Sequence, residues 1–232
     1  MVSTTDALLP GTTQLMSVYT ALKFDEQKIA QICLELTQQG YSVIVDFLPQ
    51  SIALSLLQEV VNDTTLDFKQ AAIGREQLEH INSTIRNDRI SWLDGSSVAQ
   101  KSYLQCMEQV RIAINRQLFL GLFDYESHYA YYGPGDFYQR HVDAFHGRSN
   151  RVLSSIVYLN QAWLPDDQGE LLMFHGDQPY PFLTVAPNFN QCILFLSEQF
   201  PHEVRVAKRH RYSIAGWFRI NNSIGGQVDP SK

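Results

Sequence analysis

Hydrophobic residues in the first half of the chain recur at helical spacing. The first such stripe consists of Ile29, Ile32, Cys33 and Leu36. It predicts a helix that Asp25 caps and Gly40 ends. Two further helices are predicted over 51–61 and 98–118, where apolar residues again return every three or four positions. Between the first two helices, the run 41–47 alternates like a strand.

From about residue 126 the pattern changes to short aromatic and β-branched runs separated by Gly, Pro, Asn and Asp. The runs cover 127–132, 137–143, 151–159, 170–174, 191–196 and 212–218. They predict an antiparallel β sandwich or barrel with the helices packed on its outside. We expect one domain over 24–221, with flexible tails at 1–23 and 222–232. The polar, aperiodic segment 62–88 is long enough to be a functional or mobile loop.

Composition narrows the classes of protein and of partner. With 44% apolar residues and 12% aromatics, the chain can bury a core. The net charge of -6 argues against nucleic acid or an anionic membrane as partner. The three cysteines form no C-x-x-C pair, and the first twenty residues contain no Lys or Arg. No apolar run approaches the roughly 20 residues that span a bilayer. We therefore expect a cytoplasmic protein, and a monomer as the default, since no sequence feature indicates an oligomer.

The strongest chemical signal is a candidate set of metal ligands. His141 and Asp143 are two apart in a predicted strand, so both can face one ion while Val142 points away. His202, from another strand, would complete a set of two histidines and one carboxylate. That set leaves coordination positions open, as non-haem iron needs when it binds a chelating co-substrate and dioxygen. A catalytic zinc hydrolase stays open as a second interpretation, and His146 as a rival ligand.

Arg211 favours iron over zinc. It lies nine positions after His202, in the run 211–217 that alternates like a strand and contains Ile214 and Trp217. A guanidinium is a natural bidentate partner for a carboxylate, and 2-oxoglutarate has a distal carboxylate that needs a fixed cation. A hydrolase has no use for that cation. A surface salt bridge is the alternative role, but the apolar neighbours argue for burial.

The joint pattern of motifs resembles a known family. The motifs are Ile85-Arg86-Asn-Asp88-Arg-Ile-Ser-Trp92-Leu-Asp-Gly95, Tyr132-Gly-Pro-Gly-Asp-Phe-Tyr138-Gln-Arg-His141-Val-Asp143, Ile156-Val-Tyr158-Leu-Asn160, Gly169-Glu-Leu, His202-Glu-Val and Arg211 with Trp217. Their order and spacing over about 25–220 are similar to the prolyl 4-hydroxylase branch of the Fe(II)/2-oxoglutarate-dependent dioxygenases. The pattern is similar in particular to the oxygen-sensing (hypoxia-type) prolyl hydroxylases of animals and to their bacterial relatives.

The resemblance implies a role for individual residues. His141, Asp143 and His202 match the catalytic iron ligands. Arg211 matches the arginine that binds the distal carboxylate of 2-oxoglutarate, and Tyr132 and Tyr158 match tyrosines that hydrogen-bond this co-substrate. Tyr132 is preferred to Tyr131, which should face the other side of its strand. The remaining histidines, such as His128, are taken as surface residues or as neighbours of the site.

The resemblance also implies a substrate-binding region. Tyr138 and Trp217 match residues that line the entrance for the substrate proline. Asp88 and Arg151 match a pair that stabilises a mobile, substrate-covering loop, which places that loop at 64–88. Arg86 and Trp92 belong to the same upstream segment. Without the resemblance, Arg86 and Asp88 could be a solvated pair, and Trp92 a packing residue.

The implied fold is a double-stranded β-helix (jelly roll) with N-terminal helices on its major sheet. The implied enzyme uses Fe(II), 2-oxoglutarate and O2, with ascorbate as supporting reductant, and hydroxylates a prolyl residue of a cytosolic protein such as a translation factor or ribosomal protein. Two departures limit the transfer of substrate choice: Ala215 replaces a hydroxyl-bearing residue, and 176–189 differ. A hydroxylase of free proline or another small amino acid, and a non-catalytic metal- or ligand-binding jelly roll, stay open.

Overall fold

The computed structural model describes residues 24–71, 84–144 and 149–221, together with the backbone of 223–224 and 227–228. The predicted tail at 1–23, most of that at 222–232, the centre of the 64–88 loop and the rival ligand His146 lie outside the described residues.

All three predicted helices are confirmed: α1 is Glu26–Gln39, α2 is Gln50–Asn62 and α3 is Val98–Leu118. Asp25 caps α1 by accepting a hydrogen bond from the backbone N–H of Gln27 at 2.8 Å. Gly40 ends this helix in the left-handed conformation, with φ of 81°, which a residue without Cβ adopts at little cost.

The rest of the described chain is mostly strand. The strands are β1 (Tyr41–Ile44), β2 (Lys69–Gln70), β3 (Arg89–Trp92), β4 (Leu122–Tyr132), β5 (Tyr138–His141), β6 (Arg151–Tyr158), β7 (Leu171–Met173), β8 (Leu183–Val185), β9 (Cys192–Leu196), β10 (His202–Val204), β11 (Arg211–Ile220), β12 (Ser223–Ile224) and β13 (Gln227–Val228). The larger sheet has the order β1-β9-β6-β11-β4-β3-β2, and the smaller has β5-β10-β7-β8. Both sheets are antiparallel, as the predicted jelly roll requires.

Two hydrophobic clusters hold these layers together. In the first, the apolar faces of α1, α2 and α3 pack on the outer face of the larger sheet, as predicted. Among its members, Tyr103 and Met107 of α3 are fully buried. In the second, residues such as Tyr158, Phe195 and Met173 fill the interior. The inner face of the larger sheet thus packs on the smaller one, and the candidate site lies between them.

The structure corrects two predictions of local structure. The segment 62–88 is not a loop throughout, because β2 pairs with β3 and forms the edge of the larger sheet. Asp143 does not lie on the strand with His141, since β5 ends at His141. The sequence pattern does not predict β3 and β8, and it indicates β10 only as the strand that supplies His202, because runs of three or four residues are too short to show an alternating pattern.

Two further expectations from the composition concern the cysteines and the absence of a membrane-spanning segment. Cys33, Cys106 and Cys192 are all buried and free, so none of them forms a disulfide. Within the described residues, no helix has both the length and the apolar character that a membrane crossing requires.

Candidate metal centre

His141 and His202 are brought together by strand pairing. The two residues are register partners in the antiparallel pair β5–β10, so their side chains leave neighbouring strands at the same level. Asp143 completes the group: its Oδ1 lies 3.6 Å from Nε2 of His141 and 3.7 Å from Nε2 of His202. One candidate ligand atom from each residue lies within 4.8 Å of the others. The spacing allows all three atoms to bind one ion.

Backbone carbonyls orient both imidazole rings. Nδ1 of His141 lies 2.9 Å from the carbonyl oxygen of Gln139, and Nδ1 of His202 lies 2.9 Å from that of Phe200. When each Nδ1–H donates to its carbonyl, each Nε2 keeps a free lone pair, which is the tautomer a metal ligand requires. Burial, followed by the nearby charge of His141, lowers the pKa of His202 to about 4. Its ring is therefore neutral at physiological pH.

Asp143 is held from the neighbouring sheet. Ser154 of β6 donates a hydrogen bond to its Oδ2 at 2.6 Å, which leaves Oδ1 directed to the histidines. Burial would raise the pKa of the Asp143 carboxyl, but electrostatic interaction with His202 and His141 and the hydrogen bond from Ser154 outweigh burial and hold that pKa well below its usual range. The carboxylate is therefore anionic and available to a cation.

These three residues open onto a cavity of about 1340 Å³. Its lining includes the three candidate ligands and the inward-facing residues of β11, which are two apart in sequence: Arg211, Ser213, Ala215 and Trp217. Tyr132 and His128 of β4 line it as well. The predicted metal group and the predicted carboxylate-binding arginine therefore share one cavity.

Arg211 is buried, as predicted, with only 1% of its surface exposed. Its Nε donates to the carbonyl of Gly169 at 2.9 Å and its Nη1 to Oγ of Ser213 at 3.3 Å. Its Nη2 is buried with no hydrogen-bond partner among the described residues. A Cβ at position 169 would lie 3.2 Å from Cδ of Arg211, so a glycine there allows the close approach.

The surroundings of Arg211 fit a bound carboxylate. Its guanidinium carbon lies 4.8 Å from the centre of the Tyr132 ring and 5.2 Å from that of Tyr158. The buried hydroxyl of Tyr158 also lacks a partner among the described residues. Burial raises the pKa of both tyrosines, so their hydroxyls stay protonated and can donate. An anion with two oxygens would satisfy the unused N–H and O–H groups, which are costly to bury alone.

The neighbouring cations are less suitable. Arg205 is exposed and lies 3.5 Å from Glu170, and Lys208 is exposed. Arg209 donates to the carbonyl of Ala162 at 3.1 Å and to Asp167 at 3.2 Å. None of the three cations lines the cavity. Of these four neighbouring cations, Arg211 is therefore the one that can bind a co-substrate carboxylate inside the cavity.

The predicted orientation of the two adjacent tyrosines is confirmed. Tyr132 is 4% exposed and faces the cavity. Tyr131 faces the opposite side, where its hydroxyl lies 2.7 Å from Nδ1 of His210 and its ring contacts Tyr212.

Aromatic side chains form the wall beyond the metal group. The ring of His128 packs between Trp92, at 5.2 Å, and Trp217, at 5.4 Å between ring centres. Burial, with a smaller effect of the charge of Arg86, lowers the pKa of His128 to about 4. The indole N–H of Trp217 is buried and has no partner in the described part of the chain. This wall combines apolar surface with unused hydrogen-bonding capacity.

The predicted pairing of Asp88 with Arg151 is wrong in this structure. Asp88 accepts two hydrogen bonds from Arg86, at 2.8 and 2.6 Å, because the turn at 84–88 brings these neighbours together. Arg151 donates to Glu126 instead and lies 3.5 Å above the ring of Trp217. The idea of a solvated Arg86–Asp88 pair is wrong too, because the Asp88 side chain is fully buried and that of Arg86 is 12% exposed.

Sequence reasoning did not single out several residues of the site. No sequence pattern indicates Ser154 or Glu126, and the sequence predicts His128 only as a surface residue or a neighbour of the site. The alternation along 127–132 could have identified His128, because it lies on the same strand face as Ala130 and Tyr132. Glu126 and Arg219, 3.2 Å apart, form a buried pair that no local pattern indicates.

Comparison with known proteins agrees with this geometry. The sequence profile of the 2OG-Fe(II) oxygenase superfamily matches residues 127–219, which include the three candidate ligands and Arg211. A solved prolyl-4-hydroxylase from Pseudomonas putida is 38% identical, with a TM-score of 0.75, and the match covers 84% of this chain and all of that one. The chain belongs to the 2OG-Fe(II) oxygenase superfamily. The jelly-roll fold of this superfamily agrees with the two antiparallel sheets described above.

Animal members of this superfamily are also similar. A prolyl hydroxylase from Trichoplax adhaerens, solved with a peptide of the hypoxia inducible factor oxygen degradation domain, is 25% identical with a TM-score of 0.73; the match covers 90% of this chain and 93% of that one. Egl nine homolog 1 of Rattus norvegicus is 27% identical over 193 residues, which are 79% of this chain and 56% of the relative. The chain thus spans about half the length of the curated relatives it matches.

Proposed function

We propose that this chain is an iron(II)- and 2-oxoglutarate-dependent dioxygenase that hydroxylates a prolyl residue of a protein. The observation that carries the proposal is that one cavity contains both a candidate metal site and a buried cation with an unused hydrogen-bond donor. Three potential ligand atoms lie within 4.8 Å of one another, and Arg211 has a buried N–H group without a partner. A 2-oxoglutarate molecule would satisfy both, with its keto acid at the metal and its distal carboxylate at Arg211.

Each residue of the site would then have a distinct task. His141, Asp143 and His202 would hold the iron, and the protonated hydroxyls of Tyr132 and Tyr158 would help Arg211 to orient the co-substrate. Bound iron(II) would couple oxidative decarboxylation of 2-oxoglutarate by dioxygen, which yields succinate and carbon dioxide, to insertion of one oxygen atom into a substrate C–H bond. The buried walls of the cavity would exclude water from this reaction.

A protein substrate is supported by the size and composition of the cavity. Beyond the metal group it extends along Trp92, Trp217 and Arg151 to the described part of the predicted loop, where Leu66 and Lys69 contribute to the lining. A volume of about 1340 Å³ exceeds what one small co-substrate and one free amino acid need. The peptide bound by the Trichoplax adhaerens relative supports the same proposal.

We propose further that the substrate is a cytosolic protein, such as a translation factor or ribosomal protein. The resemblance to bacterial relatives supports this assignment, and ascorbate would serve as reductant. The prolyl residue would enter past Tyr138 and Trp217. Arg86, Asp88, Trp92 and Arg151 would form the base of a substrate-covering loop at 64–88.

Succinate release tests the reaction class. The purified chain, supplied with iron(II), 2-oxoglutarate, ascorbate and oxygen, should release succinate, and Asp143→Ala should not, because it lacks the anionic ligand. Asp166→Ala, which removes an exposed carboxylate far from the metal group in sequence, is the matched control. Zinc, cobalt or nickel should inhibit by occupying the site without supporting the redox cycle. Succinate release that is equal in the wild type and Asp143→Ala would refute the assignment.

A further inference from the structure

The aromatic ring of Tyr138 lies between a candidate metal ligand and a buried ion pair. The rings of Tyr138 and His141 are stacked, with centres 3.6 Å apart and planes inclined by 15°. The guanidinium carbon of Arg86 lies 4.1 Å from the centre of the same Tyr138 ring. Imidazole and guanidinium cannot both occupy the space above one face at these distances. They therefore cover opposite faces, and Tyr138 is sandwiched between them.

Arg86 is itself held firmly. Its Nε and Nη2 donate to the two carboxylate oxygens of Asp88 at 2.8 and 2.6 Å, a bidentate arrangement that fixes the plane of the guanidinium. Both side chains are largely buried. A buried, bidentate pair has little freedom to move, so Arg86 presents a fixed surface to the Tyr138 ring.

The backbone around Arg86 also connects the two sheets. Arg86 forms a β-bridge with Tyr138 of β5, and the N–H of Gln139 donates to the carbonyl of Ile85 at 2.8 Å. The carbonyl of Asp88, which precedes β3, accepts from the N–H of Ala71 at 3.0 Å. The segment 84–88 thus joins the edge of the smaller sheet to the β2–β3 edge of the larger one.

We infer that Arg86, Tyr138 and His141 form a positioning stack, through which the segment 84–88 sets the orientation of the metal ligand His141. The inference rests on the proposed metal site and adds a function to Tyr138 besides lining the entrance. The Nδ1 hydrogen bond to Gln139 fixes the tautomer of His141, but rotation about that bond leaves the tilt of the ring free. The stacked Tyr138 ring restricts the tilt, and Arg86 restricts Tyr138.

The stack connects the segment 84–88, which belongs to the predicted substrate-covering loop, to the metal ligand His141. A displacement of 84–88 would move the guanidinium, release one face of Tyr138 and loosen the imidazole on the other. Groups that orient metal ligands typically change metal affinity by roughly 10- to 100-fold when they are removed. The stack should therefore be detectable in metal binding alone, in the absence of any substrate.

The experiment is a titration of the metal-free protein with cobalt(II), followed by calorimetry and by the visible absorption spectrum of the bound ion. Tyr138→Leu removes the ring, and the double variant Arg86→Gln with Asp88→Asn removes the pair without leaving a buried unpaired carboxylate. Each should bind cobalt(II) roughly 10- to 100-fold more weakly, with an altered spectrum. Tyr138→Phe keeps the ring and should keep most of the affinity and the spectrum of the wild type.

Arg89→Gln is the matched control. Arg89 also covers a tyrosine ring, that of Tyr131, at 4.8 Å, but it is exposed and lies on the side away from the metal group. Its variant should bind cobalt(II) like the wild type. Wild-type affinity and spectrum in both Tyr138→Leu and the double variant would refute the positioning role of the stack. If Asp143→Ala binds cobalt(II) as tightly as the wild type does, the assignment of the metal site is wrong, and so is the role proposed for the stack.

Discussion

Ser154 donates a hydrogen bond of 2.6 Å to Oδ2 of Asp143, across the space between the strand β6 and the turn that follows β5. The Ser154 hydroxyl also lies 2.8 Å from that of Ser197. Because Asp143 lies beyond the end of its strand, strand geometry alone does not fix its side chain. The hydroxyl pair does so, and turns Oδ1 toward both imidazole rings.

We expect Ser154→Ala to weaken metal binding. Loss of the hydrogen bond frees the carboxylate to rotate, and such losses typically reduce metal affinity by roughly 10- to 100-fold. Ser155→Ala is the matched control, since the hydroxyl of Ser155 is equally buried but bonds to Tyr125 on the other face of the strand. Calorimetric titration of metal-free variants with iron(II) or manganese(II) measures the difference. Equal affinities in the two variants would show that Asp143 needs no such support.

Replacement of Arg211 by leucine should raise the KM for 2-oxoglutarate while iron binding stays near normal. Removal of one partner from a buried, charge-assisted pair costs about 2–5 kcal/mol, which corresponds to at least a 30-fold change. Arg209→Leu is the control, because that guanidinium bonds to backbone carbonyls outside the cavity. Steady-state succinate formation at varied 2-oxoglutarate gives the KM values. An unchanged KM in Arg211→Leu would show that another cation binds the distal carboxylate of 2-oxoglutarate.

The parts of the site that sequence predicted best are those that local patterns determine. Arg211 could be placed inside the fold because its strand alternates over 10 residues, and the same rule turned Tyr132 inward and Tyr131 outward. The turn at 84–88 follows no such rule. It pairs Arg86 with Asp88, the local pair that the sequence alone offered, but buries that pair, whereas the family resemblance implied a long-range partner in Arg151.

Long-range register accounts for what sequence did not predict. The pairing of His202 with His141 depends on a three-residue strand, β10, that has no detectable period of its own. His128 lies in the cavity wall because β4 pairs with β3 on one side and β11 on the other, which brings Trp92 and Ala215 beside it. Contacts of this kind join residues tens to more than a hundred positions apart, and a single sequence carries no local record of them.

His128 should make the metal-free protein less stable in mild acid. Burial and the charge of Arg86 lower its pKa from 6.5 to about 4 in the folded state. A group with a lowered folded-state pKa contributes stability above its unfolded pKa and loses it as pH falls. Between pH 7.5 and pH 5, this histidine should therefore cost about 2 kcal/mol of folding free energy.

Urea denaturation of the metal-free protein across this pH range, compared with His128→Met, measures that contribution. The neutral, similarly sized variant lacks the titrating group, so its stability should fall less steeply with decreasing pH. Because His202 is present in both proteins and also has a lowered pKa, its own contribution cancels in the difference. Parallel stability curves would mean that His128 titrates alike in the folded and unfolded states.

The substrate proposal predicts that oxygen is added to a proline within a protein chain. Cytosolic proteins incubated with the enzyme, iron(II), ascorbate and 2-oxoglutarate should gain one oxygen on a prolyl residue, which mass spectrometry with 18O2 can localise. Trp217→Leu should reduce this hydroxylation much more than it reduces substrate-independent conversion of 2-oxoglutarate to succinate. The indole belongs to the outer wall with Arg151 and His128, whereas the uncoupled reaction needs only the metal group and Arg211. If free proline is hydroxylated efficiently and no protein is labelled, the proposed protein substrate is wrong and the substrate is a small amino acid.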